Sequence, residues 1–210
     1  MKIDEIVKSS FSEIFESELL QEIIKYGVLK KVDPKTIIVE VRRDVQFIPL
    51  IVSGIAKVKR RDGKGNGIFL HYLSAKETSA IAISSAIQHK KSEIRIKAEN
   101  IVTYIALPIK VVSLWFSKYN NWRAYFFNLN EKQTSLLIEK INDIAFNDLE
   151  FRLVKYLEET SFVKNDHIIY RKHFDIARDL KVSRESISRV LKKLEKEEIL
   201  TLGRNKIILN

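Results

Sequence analysis

The chain has 210 residues, 45% of them hydrophobic, no cysteine and a formal net charge of +10. That length holds one large or two small domains with a sizeable core, and the missing thiols exclude disulfides, thiolate zinc sites and cysteine-ligated iron–sulfur clusters. The basic excess suggests an anionic partner such as nucleic acid; residues 148–210, however, hold 14 Lys and Arg against 11 Asp and Glu, a net of +3, so the excess is not concentrated at the C-terminal end, and solubility is the bland reading of it.

The first residues, "MKIDEIVKSSFSEIF", include acidic groups and no continuous apolar core, and do not read as a signal peptide. No run approaches the roughly 18 apolar residues of a membrane span, so a cytoplasmic chain without a membrane partner is expected. Ile6, Val7, Phe11, Ile14, Phe15, Leu19, Leu20, Ile23 and Ile24 recur near a helical period and predict a helix over residues 4–30. From residue 35 to about 107 the pattern changes to short Ile- and Val-rich runs such as "TIIVEV", "GIFLHYL", "EIRIKA" and "IVTYIAL", which predict strands of a barrel or double-sheet roll. Asp-Gly and Asn-Gly in "RRDGKGNG" (Arg60–Gly67) are a hairpin signal, and the small residues of Ser74–Lys91 predict a short helix between strands.

Beyond Pro108 the chain reads as helical. Trp122, Phe126, Leu129, Leu136, Ile141 and Ile144 mark a long helix over 119–146 whose 3–4 spacing fits a seam against a second helix as well as a core face. Asn147 is the expected N-cap of the next helix. A helix over Lys172–Leu180, a Lys181-Val182 turn, Ser183 as N-cap, a helix to Glu197 and a hairpin around Gly203-Arg204-Asn205 form a winged helix-turn-helix layout. The expected fold class is therefore α+β: residues 1–118 an N-terminal helix and double-stranded β-roll (jelly-roll), 119–146 a dimerisation helix, and 147–210 the winged helix-turn-helix.

The second helix of that motif carries the chemistry. Ile187, Val190, Leu191 and Leu194 occupy one face, and Arg184, Glu185, Ser188 and Arg189 cluster on another. A helix fits the B-DNA major groove with its N-terminal residues at base edges; arginine can donate twice to guanine O6 and N7, and glutamate can accept from the cytosine amino group. A glutamate facing a polyanion is costly unless it reads a base or organises an arginine. The competing reading is a solvated face with Glu185 paired to Arg189. Arg171, Lys172, Lys192, Lys193, Arg204 and Lys206 are the expected phosphate contacts.

"VSRESISRVLKKLEKEEIL" closely resembles the recognition helix of the Crp/Fnr family of transcription regulators, where an S-R-E-T-V-x-R pattern is characteristic, and "VSGIAKVKRRDGKG" looks like that family's S-G-x-V-K-V strand and hairpin. The resemblance implies a roll like a cyclic-nucleotide-binding domain, a homodimer, base contacts from Arg184, Glu185 and Arg189 in half-sites resembling TGTGA, and phosphate contacts from Ser183 and Lys192. The implied partners are double-stranded DNA, a second copy of the chain, RNA polymerase and an unidentified small-molecule effector. The seam would be carried by Trp122, Phe126, Leu129 and Leu136, with Trp122, Tyr125, Phe126 and Phe127 also packing on the roll at the near end. The family often has glycine where Lys181 stands, so the turn is expected to differ slightly.

The family's phosphate cassette has Gly-Glu and, later, Arg-Ser. Here Lys76-Glu77 and Lys91-Ser92 stand there, leaving Glu77, Thr78, Lys91 and Ser92 as the residues of a degenerate effector pocket; a lysine in place of the glycine crowds the cradle and a lysine in place of the arginine loses the bidentate fork. No cofactor is expected, cyclic nucleotide included. His71 or His89 could ligate haem but read better as structural or exposed, and His167 and His173 are too far apart in sequence to be a metal pair by themselves. A second class of function is an effector-sensing roll acting mainly through ligand or protein contacts. No catalytic spacing stands out, and "GKGNG" (Gly63–Gly67) lacks the lysine-serine ending of a phosphate loop, so an enzyme is not expected.

Overall fold

The computed structural model describes residues 2–61, 67–146 and 148–210. Two compact units emerge: Met1–Arg61 with Leu70–Leu136, and Leu137–Asn210 with a short stretch ending at Phe69.

The first unit opens with two helices, α1 (Ile3–Phe11) and α2 (Ser17–Tyr26). The single helix expected over 4–30 is broken at Phe11, whose carbonyl accepts from both Ile14 and Phe15 N–H groups at 3.0 Å. The Phe15 ring thereby lands against Phe11, Trp122 and Tyr125. The apolar period runs on through the turn because Phe15 is a core residue carried by a loop. Gly27 ends α2; a Cβ there would stand 2.5 Å from the Ile23 carbonyl and 2.6 Å from Ile105 Cγ2, so only glycine lets the chain pass directly into β1 (Val28–Val32). The helical period masks the first residues of that strand in the sequence.

The strands β2 (Ile37–Val39), β3 (Phe47–Ser53), β4 (Ala56–Arg61), β5 (Gly67–Leu73), β6 (Ile94–Ala98) and β7 (Val102–Pro108) follow. They form two sheets, β1-β7-β3 and β2-β6-β4-β5. This is the two-layered roll that the Ile- and Val-rich runs predict: Ile48, Leu50, Val58, Leu73, Ile96, Ile105 and Leu107 are buried. The hairpin tip expected within Arg60–Gly67 lies outside the described residues, as does most of "GKGNG"; the flanking strands β4 and β5 are neighbours in the sheet. Gly54 turns β3 into β4 at φ +83°, with the Ile101 carbonyl 2.1 Å from where a Cβ would be. The short helix expected between strands is α3 (Ala80–Ile87), capped by Ser79, whose hydroxyl accepts from Ala82 N–H at 3.3 Å.

Two further helices are α4 (Ile109–Lys118) and the 27-residue α5 (Asn120–Phe146). The first part of α5 is bound to the roll. Trp122 is fully buried among Phe15, Trp115 and Tyr125. Gln133, also buried, donates to the Thr78 carbonyl at 2.7 Å and accepts from Ala80 N–H at 3.0 Å.

The second unit contains α6 (Leu149–Lys164), β8 (Ile168–Ile169), α7 (His173–Leu180), α8 (Arg184–Lys196), β9 (Leu200–Gly203) and β10 (Lys206–Leu209), with a small sheet ordered β8-β10-β9. Asp148 caps α6 by accepting from Phe151 N–H at 2.9 Å; the expected cap, Asn147, lies outside the described residues. The two-residue strand β8 is too short to carry a periodic signal, which is why the sequence predicts only a hairpin. Leu153, Leu157, Ile176, Ile187, Leu191, Leu194, Leu200 and Ile207 form the core. Ala177, small and buried, lies where α7 and α8 pack, and the Tyr156 hydroxyl donates to Asp179 Oδ2 at 3.0 Å, tying α7 to α6.

Candidate nucleic-acid interface

The interface is built on α8. Ser183 sits in extended backbone and its hydroxyl accepts from Ser186 N–H at 3.0 Å, satisfying one of the donors that a helix start leaves unpaired. Ile187, Leu191 and Leu194 are buried, which at about 3.6 residues per turn turns Arg184, Glu185 and Arg189 outward, and all three are exposed. No hydrogen bond or ion pair within the described residues holds any of these three side chains. The Glu185–Arg189 pair that a merely solvated face would form is not made. Lys192 is exposed one turn further along.

Lys181, where the resembled family has glycine, takes the left-handed conformation at φ 59°, ψ 44° and its N–H donates to the Ala177 carbonyl. The turn therefore does not differ as expected: lysine adopts the glycine geometry, at a strain of roughly 1 kcal/mol. Lys181→Gly should stabilise the second unit by about 0.5 kcal/mol, the released strain being partly offset by the greater chain entropy of glycine when unfolded. Urea unfolding measures it; an unchanged or lowered midpoint contradicts the strain.

Two expected contact residues are otherwise engaged. Ser188 is half-buried, with its hydroxyl 2.9 Å from His173 Nδ1, so its hydroxyl serves the packing of α7 on α8. Lys193 lies on the flank of α8, paired with Glu150 on α6 and with Glu197; the Glu150 hydrogen bond holds its ammonium above the ordinary lysine value. That exposed ion pair competes with its expected phosphate role, and the sequence does not reveal a carboxylate 43 positions away. Arg171 and Lys172 lead into α7, with Lys172 at its N-cap. Arg204 is exposed in the turn between β9 and β10, and the Lys206 side chain crosses Gly203 within 2.7 Å of where a Cβ would be. Arg171, Lys172, His173, Arg184 and Lys206 line one concavity of about 540 Å³.

Of the four residues expected to form an effector pocket, Glu77 and Ser92 are engaged by their neighbours. The Glu77 carboxylate accepts from Ser74 N–H at 2.9 Å and from Lys132. Thr78 and Ser92 are buried, and the Ser92 hydroxyl donates to the Ile94 carbonyl at 2.8 Å. Lys91 is exposed and bridges to Asp44 through its backbone. Lys76 keeps a glycine-like φ of 68°, its carbonyl accepting from the Tyr125 hydroxyl at 2.9 Å, and its side chain leads out toward Glu13. His71 is buried on β5 and His89 is exposed.

The seam residues are also redistributed. Trp122 and Leu129 are buried and Phe126 and Leu136 half-buried. Trp122 faces its own roll, so it is core rather than seam. The exposed apolar stripe on α5 is Phe127, Ile138 and Ile141, with Thr134 between them. Spacings of seven, four and three make this a heptad-type stripe on the side opposite Trp122 and Leu129.

Residues 152–210 match the family model of the Crp-like helix-turn-helix domain. Solved structures extend the likeness to the whole chain. A protein assigned to the Crp/Fnr family of transcriptional regulators, from Eubacterium rectale, is 21% identical over 94% of this chain and 92% of its own, with a TM-score of 0.82. The c-di-GMP-responsive global regulator CLP of Xanthomonas campestris is 15% identical over 92% and 99%, with a TM-score of 0.77. A CRP/FNR-family regulator from Thermus thermophilus is 15% identical over 87% and 93%, with a TM-score of 0.73. No curated protein sequence matches. The chain thus has the fold of the Crp/Fnr transcription regulators and carries a Crp-like helix-turn-helix domain. These three structures are described as regulators, not as enzymes. No helix among the described residues is long and apolar enough to cross a membrane.

Proposed function

We propose that the chain is a sequence-specific transcription regulator that binds a near-palindromic DNA site as a homodimer. The observation that carries this reading is the exposed, uncommitted set Arg184, Glu185 and Arg189 at the N-terminal end of α8. Arg184 and Arg189 take guanines and Glu185 takes a cytosine amino group. Arg171, Lys172, Lys192, Arg204 and Lys206 take phosphates. The outward stripe Phe127, Ile138 and Ile141 supports the dimer: apolar residues at heptad spacing on an exposed helix face gain from burial against a copy of themselves. Symmetry would then set two α8 helices about 34 Å apart, one turn of DNA.

A cyclic nucleotide is not part of this reading. The commitment of Glu77 to Lys132 and Ser74, and of the Ser92 hydroxyl to Ile94, argues for a regulator that works without one or with a different effector. RNA polymerase and a cytoplasmic location belong to the reading as well. A salt titration tests the DNA partner: log K for a duplex should fall linearly with log salt, and Lys192→Ala should lower the slope by about one phosphate contact without changing base preference. Salt-independent binding, or none, contradicts it.

A further inference from the structure

His173 begins α7 with its Nδ1 2.9 Å from the Ser188 hydroxyl on α8. The imidazole therefore joins the two helices of the motif, and it does so in the wall of the concavity that Arg171, Lys172, Arg184 and Lys206 also line. The charged residues lining that concavity are of one sign: Arg171 and Lys172 from the segment before α7, Arg184 from α8 and Lys206 from β10. The nearby carboxylate on its own helix, Asp175, is taken up by Arg178 at 2.8 Å. A concavity with four cations and a histidine at its wall suits an anion such as a backbone phosphate.

We infer that this concavity is a phosphate clamp for the DNA backbone and that His173 makes the clamp proton-linked, taking up a proton as a phosphate enters. This rests on the DNA-binding reading above and adds to it a specific residue and a pH dependence. In the free protein, partial burial first, and then the neighbouring Arg184, hold the His173 imidazole below its ordinary value, so it is neutral at neutral pH. A phosphate among the same cations reverses the balance, because its negative charge favours the imidazolium. The protonated ring keeps its bond to Ser188 by donating from Nδ1, so uptake of the proton does not require the helices to part. Binding is consequently favoured by acid. The extra affinity is fully present below the His173 value of the free protein and is lost as pH rises through the higher value of the complex.

The experiment is fluorescence anisotropy of the full chain with a duplex site at fixed ionic strength, from about pH 5.5 to 8 around the ordinary histidine range. Wild type is expected to bind more tightly as pH falls, by about tenfold for each unit by which binding raises the imidazole value. His173→Gln keeps a hydrogen-bonding group toward Ser188 and should lose the pH dependence; His167→Gln, which lies outside the concavity, should keep both the affinity and the pH dependence. An NMR titration of the His173 ring, free and with a DNA duplex, is an independent readout that needs no variant: its midpoint should rise on binding. A pH dependence that persists in His173→Gln, or a His173 midpoint that DNA leaves unmoved or lowers, overturns the inference alone. Absence of DNA binding at every pH overturns the DNA reading together with it.

Discussion

Arg189→Ala should abolish preference at one base pair of each half-site. A bidentate arginine–guanine contact discriminates by about 1–3 kcal/mol, and a twofold site contains it twice, so affinity for the best site should fall by about 2–6 kcal/mol while binding to unrelated DNA changes much less. The reason lies in the uncommitted guanidinium: Arg189 is exposed and makes no ion pair with Glu185 or another described residue, so its removal leaves the folded α8 intact. Arg184→Ala should act in the same way at a different base pair. Glu185→Ala should differ in sign, relaxing the cytosine preference while tightening binding to all sequences, since it removes a negative charge facing the polyanion. Competition among duplexes substituted one base pair at a time measures all three. Uniform weakening across sequences by Arg189→Ala would reduce that residue to a phosphate contact.

Replacing Ile138 and Ile141 with lysine should produce a monomer. Both residues are more than half exposed on α5, in line with Phe127, and two ammonium groups on each helix would face each other across the proposed seam. Operator affinity should fall by about a hundredfold or more, because the second half-site no longer binds as an intramolecular event. Trp122→Ala is the informative contrast. Its ring is fully buried against Phe15 and Trp115, so the substitution should cost about 3–5 kcal/mol of stability in the first unit and act on dimerisation only through folding. Sedimentation equilibrium combined with thermal unfolding separates the two. A lysine double variant that stays dimeric places the seam elsewhere.

The seam shows where the sequence is legible and where it is not. The period of α5 is plain, but a helix apolar on two sides reads the same whichever side meets its own domain. The spacing alone therefore assigns Trp122 and Leu129 to a partner helix when the roll takes them, and it leaves Phe127 and Ile138 out of the seam. The helix-turn-helix is legible for a local reason: the Ser183 cap, the apolar set Ile187, Leu191 and Leu194, and the outward Arg184, Glu185 and Arg189 all lie within twelve residues of chain. Contacts that join distant positions carry no such signal. Lys193 finds Glu150 and Gln133 finds Thr78 across 43 and 55 residues, and His173 meets Ser188 across 15. A histidine starting one helix and a serine on the inner flank of the next is the available hint, and spacing alone raises it only as a question of metal ligation. The left-handed Lys76 and Lys181 are hidden for a different reason: residue type makes that conformation costly, and only the surrounding fold imposes it.

The most direct test of the central claim is selection of randomised duplex DNA by the purified 210-residue chain with no ligand added, read by sequencing, with Arg189→Ala selected in parallel. The expected result is a twofold-symmetric motif with half-sites about 10 base pairs apart, centre to centre, and loss of one base preference per half-site in the variant. Enrichment of no motif, with or without a metabolite pool from cell extract, or of the same motif by both proteins, would contradict it.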